Sequence, residues 1–362
     1  MTSRRSLTAL FAAVALAGPL AVACTATPKA GPAAAQAGAA ADVSQSAKCD
    51  ASPSEDEVLA FKAPKAKKPY KISLMEVSLA GYYYQANVYG AQQAAKDAGV
   101  ELTTVAGQGY ASPALQVSQA DSVLARNPDA VILFPSDIHG SVPVVQKAKA
   151  RGVPVVVMST QLASDDVAAS VIQDDYELGK VGADQLAARV PQGGPGVVIA
   201  GPGNATWSLR RVAGFTDQLK AKYPNLKVVA SPTQPVDPAQ GLKDFTNAAQ
   251  ANPGIKWVYS VYYYQLLPES IPAQFKGIPF VTTGYEPTAI KSLQNGSLTE
   301  TTSVQNVRLG YLSVARAVSV LNGEKPPATT CLPAPKFGKA DIGSPAADAD
   351  LYPAGFTASA GQ

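Results

Sequence analysis

From Tyr70 onward, short unbroken runs of valine, isoleucine, leucine and alanine alternate with longer stretches whose apolar residues recur every three or four positions. The first pattern is that of a strand buried on both faces, the second that of a helix with one apolar stripe. Strands are predicted at 71–78, 101–106, 130–134, 153–158 and 168–172, then at 196–200, 227–231, 257–261, 279–283 and 298–303. Helices are predicted between and after them at 84–98, 113–126, 142–150, 177–190, 207–222, 238–251 and 307–321. Such alternation with short breaks calls for parallel sheets covered by helices. Two blocks of this pattern meet near Asp174-Asp175, without a sequence repeat between them.

The flanks read differently. Residues 1–23 have the form of an export signal: Arg4-Arg5, an apolar stretch over 7–20, then the small residues Ala21-Val22-Ala23. That stretch is too short and alanine-rich for a comfortable membrane span. Cys24 follows as in the bacterial lipobox, whose cysteine is lipidated, although Ala21 stands where leucine is usual. The alternative is an ordinary cleaved signal that leaves Cys24 as a thiol. With Cys24 assigned to lipid, Cys49 and Cys331 remain as an even pair for a disulfide joining the two flanks, or else as two tail thiols. Residues 25–48 are rich in Ala, Gly, Pro, Ser and Gln and read as a tether, so 24–69 form a lipidated N-terminus and lead-in. The proline-rich stretch 326–362, with Leu351, Tyr352 and Phe356 as apolar anchors, is expected to wrap the surface.

Composition narrows the function. A chain of 362 residues exceeds one average domain and fits two lobes. The formal charge of +3 falls to +1 without Arg4 and Arg5, which leaves no field suited to nucleic acid. The single histidine, His139, follows Asp137 at a strand-to-helix junction, where a capped and solvated first turn is expected. No metal cluster is available from one histidine and two free cysteines at most. No G-x-S-x-G elbow and no P-loop occur, and Gly107-Gln108-Gly109 and Gly201-Pro202-Gly203 do not continue as dinucleotide fingerprints. Neither an enzyme nor a bound cofactor is expected.

What remains is aromatic. In open α/β sheets, ligands bind beyond the carboxyl ends of the strands. Tyr82-Tyr83-Tyr84 stand at the first such end, and Tyr262-Tyr263-Tyr264 stand at the end of the strand at 257–261. A tyrosine offers a flat, electron-rich face and one hydroxyl, suited to a sugar, an aromatic ring or an alkylated amine. Successive residues entering a helix point about 100° apart, so two of the first trio and one or two of the second are expected to reach a ligand. Trp257 is expected in the core, whereas Trp207 at a helix start is a candidate wall residue.

Three passages give the chain from Tyr70 to about Gly323 a family likeness. They are Tyr83-Tyr84 before the first helix, Val131-Ile132-Leu133-Phe134-Pro135-Ser136-Asp137 followed by Gly152-Val153-Pro154-Val155-Val156, and Arg211-Val212-Ala213-Gly214-Phe215. Together they resemble the type I periplasmic binding proteins of the ribose-binding group. The aromatics, the turn Gly107-Gln108-Gly109-Tyr110 and the C-terminal Leu351-Tyr352-Pro353 stretch are most similar to the TorT-like branch, whose members bind trimethylamine N-oxide and partner a sensor kinase.

The resemblance implies two Rossmann-like lobes with parallel sheets, joined by a three-crossing hinge near Asp174-Asp175, Val304-Gln305 and 325–331. Lobe one covers 70–174 with 305–325, and lobe two covers 175–304. Where sugar binders carry Asp-Arg this chain has Ser159-Thr160, and Leu209 and Tyr262 replace two further polar anchors, which argues against a pentose. Candidate ligand contacts from lobe one are Tyr83, Tyr84, Tyr110, Asp137 and Ser159, with Asp174 and Gln305 at the crossings. Those from lobe two are Trp207, Arg211, Tyr262, Tyr263, Tyr285 and Glu286. The implied protein is an exported, lipid-anchored monomer that captures a sugar, polyol, aromatic compound or methylated amine. It would hand its ligand to an ABC permease or report it to a membrane sensor kinase.

Overall fold

A computed structural model of the chain describes residues 45–110 and 113–361. The expected export signal, Cys24 and the expected tether up to residue 44 lie outside the described residues. Ten strands follow the expected order: β1 (Lys71–Glu76), β2 (Glu101–Ala106), β3 (Ala130–Leu133), β4 (Val155–Ser159), β5 (Ala169–Gln173), β6 (Gly194–Ile199), β7 (Leu226–Ala230), β8 (Trp257–Ser260), β9 (Phe280–Thr282) and β10 (Glu300–Thr302). Two more, β11 (Thr329–Leu332) and β12 (Lys336–Gly338), lie in the proline-rich C-terminal stretch. The first sheet runs β11-β5-β4-β3-β1-β2 and the second β7-β6-β8-β9, all parallel. The C-terminal stretch therefore does more than wrap the surface, because β11 extends the first sheet at its edge. The third crossing consequently falls after Leu332, beyond the expected 325–331, as the chain passes through Pro333–Pro335 to β12, which pairs antiparallel with β10.

Each lobe is closed by a pair of helices that meet through glycine. Helices Tyr82–Ala98 and Asn306–Leu321 pack across the first sheet. A Cβ on Gly90 would lie 1.8 Å from the Val307 carbonyl oxygen, and one on Gly310 would lie 1.9 Å from that of Asn87. The second lobe repeats the device with helices Asp175–Arg189 and Thr206–Lys222. There a Cβ on Gly179 or Gly214 would come within 2.1 Å of the Arg211 oxygen and 1.9 Å of the Tyr176 oxygen, respectively. Only hydrogen at these four positions lets the backbones touch, which draws the helices close and covers the sheets.

The sequence pattern missed helix Pro287–Asn295, which proline opens and Gly296 closes at φ 80°. In the lead-in, Ser54 and Glu57 form a capping box on helix Glu55–Ala60, whose buried Val58 joins the first-lobe core. Cys49 is bonded to Cys331 on β11, with 5.7 Å between their Cα atoms, so the lead-in is fastened to the edge of the first sheet.

Candidate functional site

Strand order locates the site before any side chain is considered. In the first sheet the order reverses between β1 and β3, and in the second between β6 and β8. The loops leaving these four strands diverge and leave a crevice at each switch point. The two crevices face each other and enclose a cleft of about 890 Å³ lined from both lobes.

Its walls are largely aromatic. The helix Tyr82–Ala98 begins at the crevice, so its whole first turn is presented end-on, and Tyr82, Tyr83 and Tyr84 all line the cleft. That corrects the expectation of two from this trio: divergence of directions matters less where a helix ends at a cavity than along its side. Tyr83 points to the floor, where its hydroxyl lies 2.5 Å from Ser159 Oγ and accepts a hydrogen bond from Gln173 Nε2. Phe134, the first residue after β3, sits 6.0 Å from the Tyr83 ring and 6.3 Å from that of Tyr110. From the second lobe, Trp207 meets Tyr110 at 6.3 Å and Tyr262 meets Tyr83 edge-on at 6.4 Å. Edge-to-face and tilted pairs of this kind are favourable and hold each ring's orientation. Burial pushes the phenols of Tyr83, Tyr110 and Tyr262 up, and that of Tyr84 to about 12, so all four remain neutral hydroxyls.

Few polar groups interrupt this lining. Arg211 reaches the cleft, but its guanidinium is engaged: Nε and Nη2 on Asp175 Oδ1 at 3.0 and 2.9 Å, Nη1 on the Val261 oxygen and Thr283 Oγ1 at 2.9 and 2.7 Å, Nη2 on Gln173 Oε1 at 2.8 Å. Four of its five N–H groups have hydrogen-bond acceptors and the Asp175 carboxylate balances its charge. What Arg211 offers the cleft is its planar face, beside Trp207 at 5.1 Å, while its hydrogen bonds tie the end of β5 to the second lobe. Burial outweighs this arginine at Asp175 and pushes its carboxyl up to about 6.

Glu286 differs. Only 4% exposed, it accepts hydrogen bonds from Tyr262 Oη and Thr288 Oγ1, both at 2.8 Å, and burial pushes its carboxyl up. It lines the cleft and forms no ion pair among the described residues. Ser159, at φ 76°, holds a left-handed backbone unusual for serine; such strain concentrates at functional sites.

Eight expected site residues thus line the cleft: Tyr83, Tyr84, Tyr110, Ser159, Trp207, Arg211, Tyr262 and Glu286. Five lie elsewhere. Asp137 caps its own turn, accepting from the His139 and Gly140 N–H groups. Asp174 caps helix Asp175–Arg189 and accepts from Ala47 N–H, so of the acidic pair Asp175 is the one that faces Arg211. Tyr263 and Tyr285, each 1% exposed, belong to the second-lobe core: Tyr263 Oη bonds Ser292 and the Thr288 oxygen, and Tyr285 packs on Phe337. Gln305 is buried in the second crossing and donates to the Pro333 oxygen at 3.3 Å. Phe134, Tyr82 and Tyr264 line the cleft without having been named as contacts. Phe134 was recoverable from its place at a switch point, whereas Tyr264 depends on the 3-10 turn that buries Tyr263. Among the described residues no three His, Cys, Asp or Glu side chains converge on a metal position, and no helix is long and apolar enough to cross a membrane.

Two parallel α/β lobes with a solute-sized cleft between facing switch points define a class, the two-lobed solute-binding proteins. The chain belongs to the periplasmic binding protein domain family, which matches residues 75–325, and within it to the type I proteins of the ribose-binding group. It is 25% identical to the ribose import binding protein RbsB of Bacillus subtilis over 269 residues, 74% of this chain and 87% of that protein. A carbohydrate transporter solute binding protein from Agrobacterium radiobacter, solved in complex with D-arabinose, superposes with a TM-score of 0.73 at 25% identity. That superposition covers 79% of this chain and all of the other. The likeness to the periplasmic protein TorT of Escherichia coli, 29% identical, spans 182 residues, 50% of this chain and 49% of TorT. The TorT-like branch is therefore a distant relation.

Proposed function

We propose that this protein is the extracytoplasmic receptor of an ABC importer that captures a small polyhydroxylated solute, a sugar or polyol, in its interlobe cleft. The observation that carries this reading is the pairing of aromatic faces with isolated hydroxyl and carboxylate acceptors at two facing switch points. Ring faces cover the apolar faces of a sugar, and Glu286 and Ser159 meet its hydroxyls. Relatives named for ribose import and for D-arabinose binding support the same solute class. The missing Asp-Arg pair at Ser159-Thr160 shifts the balance of affinity from charge-assisted hydrogen bonds to stacking. Function then consists of capture, lobe closure and handover to a permease, with no bond made or broken. Lipid on Cys24 would keep the receptor at the membrane, and incorporation of labelled fatty acid, lost in Cys24→Ala, tests that attachment.

A second reading has one observation behind it. Glu286 is a buried carboxylate among aromatic rings, without a cationic partner among the described residues, which also fits a methylated ammonium held by cation–π contacts. A thermal-shift screen of D-ribose, D-arabinose, polyols, betaines and N-oxides separates the two, because saturation at a hundred times Kd adds about 2.7 kcal/mol. A polyhydroxylated ligand should survive Glu286→Gln, which retains an acceptor, whereas a cation should lose its binding. Shifts confined to methylated amines would overturn the sugar reading.

A further inference from the structure

The segment 342–358 forms a fourth link between the lobes. Ala347, Leu351 and Ile342 pack into the second-lobe core, while Phe356 and Ala358 pack into that of the first. Between them the chain passes beside the hinge, where the buried Asp350 carboxylate accepts a hydrogen bond from Ser303 Oγ of the second crossing. Two residues on, the Tyr352 ring stacks on Tyr82 with centroids 4.4 Å apart and planes 15° from parallel. The Tyr352 backbone N–H also donates to Tyr82 Oη at 3.2 Å. Tyr89 and Phe356 close the cluster, with ring centroids 5.1 Å apart, and Ala358 N–H donates to Gln85 Oε1 at 2.6 Å. Tyr82 lines the cleft and Tyr352 does not.

The start of this helix needs such support. Gly81 precedes it at φ 100° and offers no side-chain cap, so the first-turn N–H groups lack the usual anchor. Tyr83 is held by Ser159 and Gln173, but Tyr82 has its stacking partner in the C-terminal segment alone among the described rings.

We propose that Tyr352 is a positioning residue of the ligand cleft, fixing Tyr82 as one wall of the mouth, and that Asp350–Phe356 couples this wall to the hinge. The consequence for affinity rests on the cleft being the ligand site; the positioning of Tyr82 does not. Closure must move the two lobes against a strap anchored in both, so the tail sets how the mouth is shaped as the lobes approach.

The test compares the purified wild type with Tyr352→Ala and Tyr352→Phe. Amide hydrogen exchange without ligand should become several-fold faster over residues 80–86 in the alanine variant, with β3 to β5 unchanged, and phenylalanine should restore protection by keeping the stack. Affinity for D-ribose or D-arabinose, measured by calorimetry, should weaken about two- to tenfold in the alanine variant, the range a single stacked pair supplies, and recover with phenylalanine. Unchanged exchange over 80–86, faster exchange throughout the first lobe, or no recovery with phenylalanine would overturn the positioning role. If neither sugar binds the wild type, these two pentoses are excluded as the solute, while the exchange comparison still decides the role of Tyr352.

Discussion

Replacing Arg211 by methionine tests how the two lobes are held in register. The side chain keeps comparable length but removes every donor to Asp175, Gln173, Thr283 and the Val261 oxygen. Asp175 is 2% exposed and would be left as an uncompensated buried carboxylate. Breaking such a pair from one side costs about 3–5 kcal/mol. With an unfolding entropy of roughly 0.6 kcal/mol per kelvin for about 300 residues, the melting temperature should fall by about 5–8 °C. The cost should depend on pH. In the native protein burial raises Asp175 from 3.8 to about 6, so its contribution is full below pH 3.8 and is lost as pH rises through 6. Arg211 is the main influence opposing that rise; without it the carboxyl shifts further up, and the penalty is largest above pH 6 and smaller near pH 4. Adding Asp175→Asn should recover part of the loss at pH 7.5. Thermal unfolding at pH 4.5 and 7.5 reads all of this. A cost below about 1 kcal/mol, a cost independent of pH, or a double variant no better than the single one would refute the buried-pair argument.

Other parts of the fold carry their own expectations. Cys49→Ser with Cys331→Ser frees the lead-in from β11 and should cost about 2–5 kcal/mol, read as a lower urea midpoint that reductant reproduces in the wild type. Gly310→Ala forces a Cβ to within 1.9 Å of the Asn87 oxygen, and helix separation should cost about 1–3 kcal/mol or more, whereas Gly355→Ala, with nothing within 4 Å, should show only its backbone strain at φ 88°. Burial raises Asp350 from 3.8 to about 7, so its contribution is full below pH 3.8 and is lost as pH rises through 7. Asp350→Asn should flatten that slope and gain on the wild type at pH 8 in thermal melts; an unchanged pH profile would count against a buried carboxyl at the hinge.

Element identity was largely legible because it depends on local periodicity. Runs such as Val155-Val156-Val157 admit little but a doubly covered strand, and helix Pro238–Ala251 begins and ends where its proline and its apolar spacing put it. β11 was hidden because Thr329–Leu332 is short, flanked by prolines, and stabilised as a strand by distant partners, β5 on one side and Ala51 of the lead-in on the other. Site residues were harder. Tyr83 and Tyr262 follow strands at switch points, so position alone recommended them. Tyr285 also follows a strand, β9, but it turns inward against Phe337 while its neighbour Glu286 faces the cleft.

The sequence by itself determined the parallel α/β architecture, the order of its elements and the aromatic character of the strand-end loops. These follow from side-chain period and residue type, which neighbours in the chain decide. Tertiary structure alone decided which tyrosines face solvent space, that Arg211 spends its donors on Asp175 and strand ends, and that Tyr352 lies on Tyr82. Tyr352 and Tyr82 are 270 residues apart. Contacts at that separation are set by where two lobes and a strap come to rest against each other, and no local pattern records that.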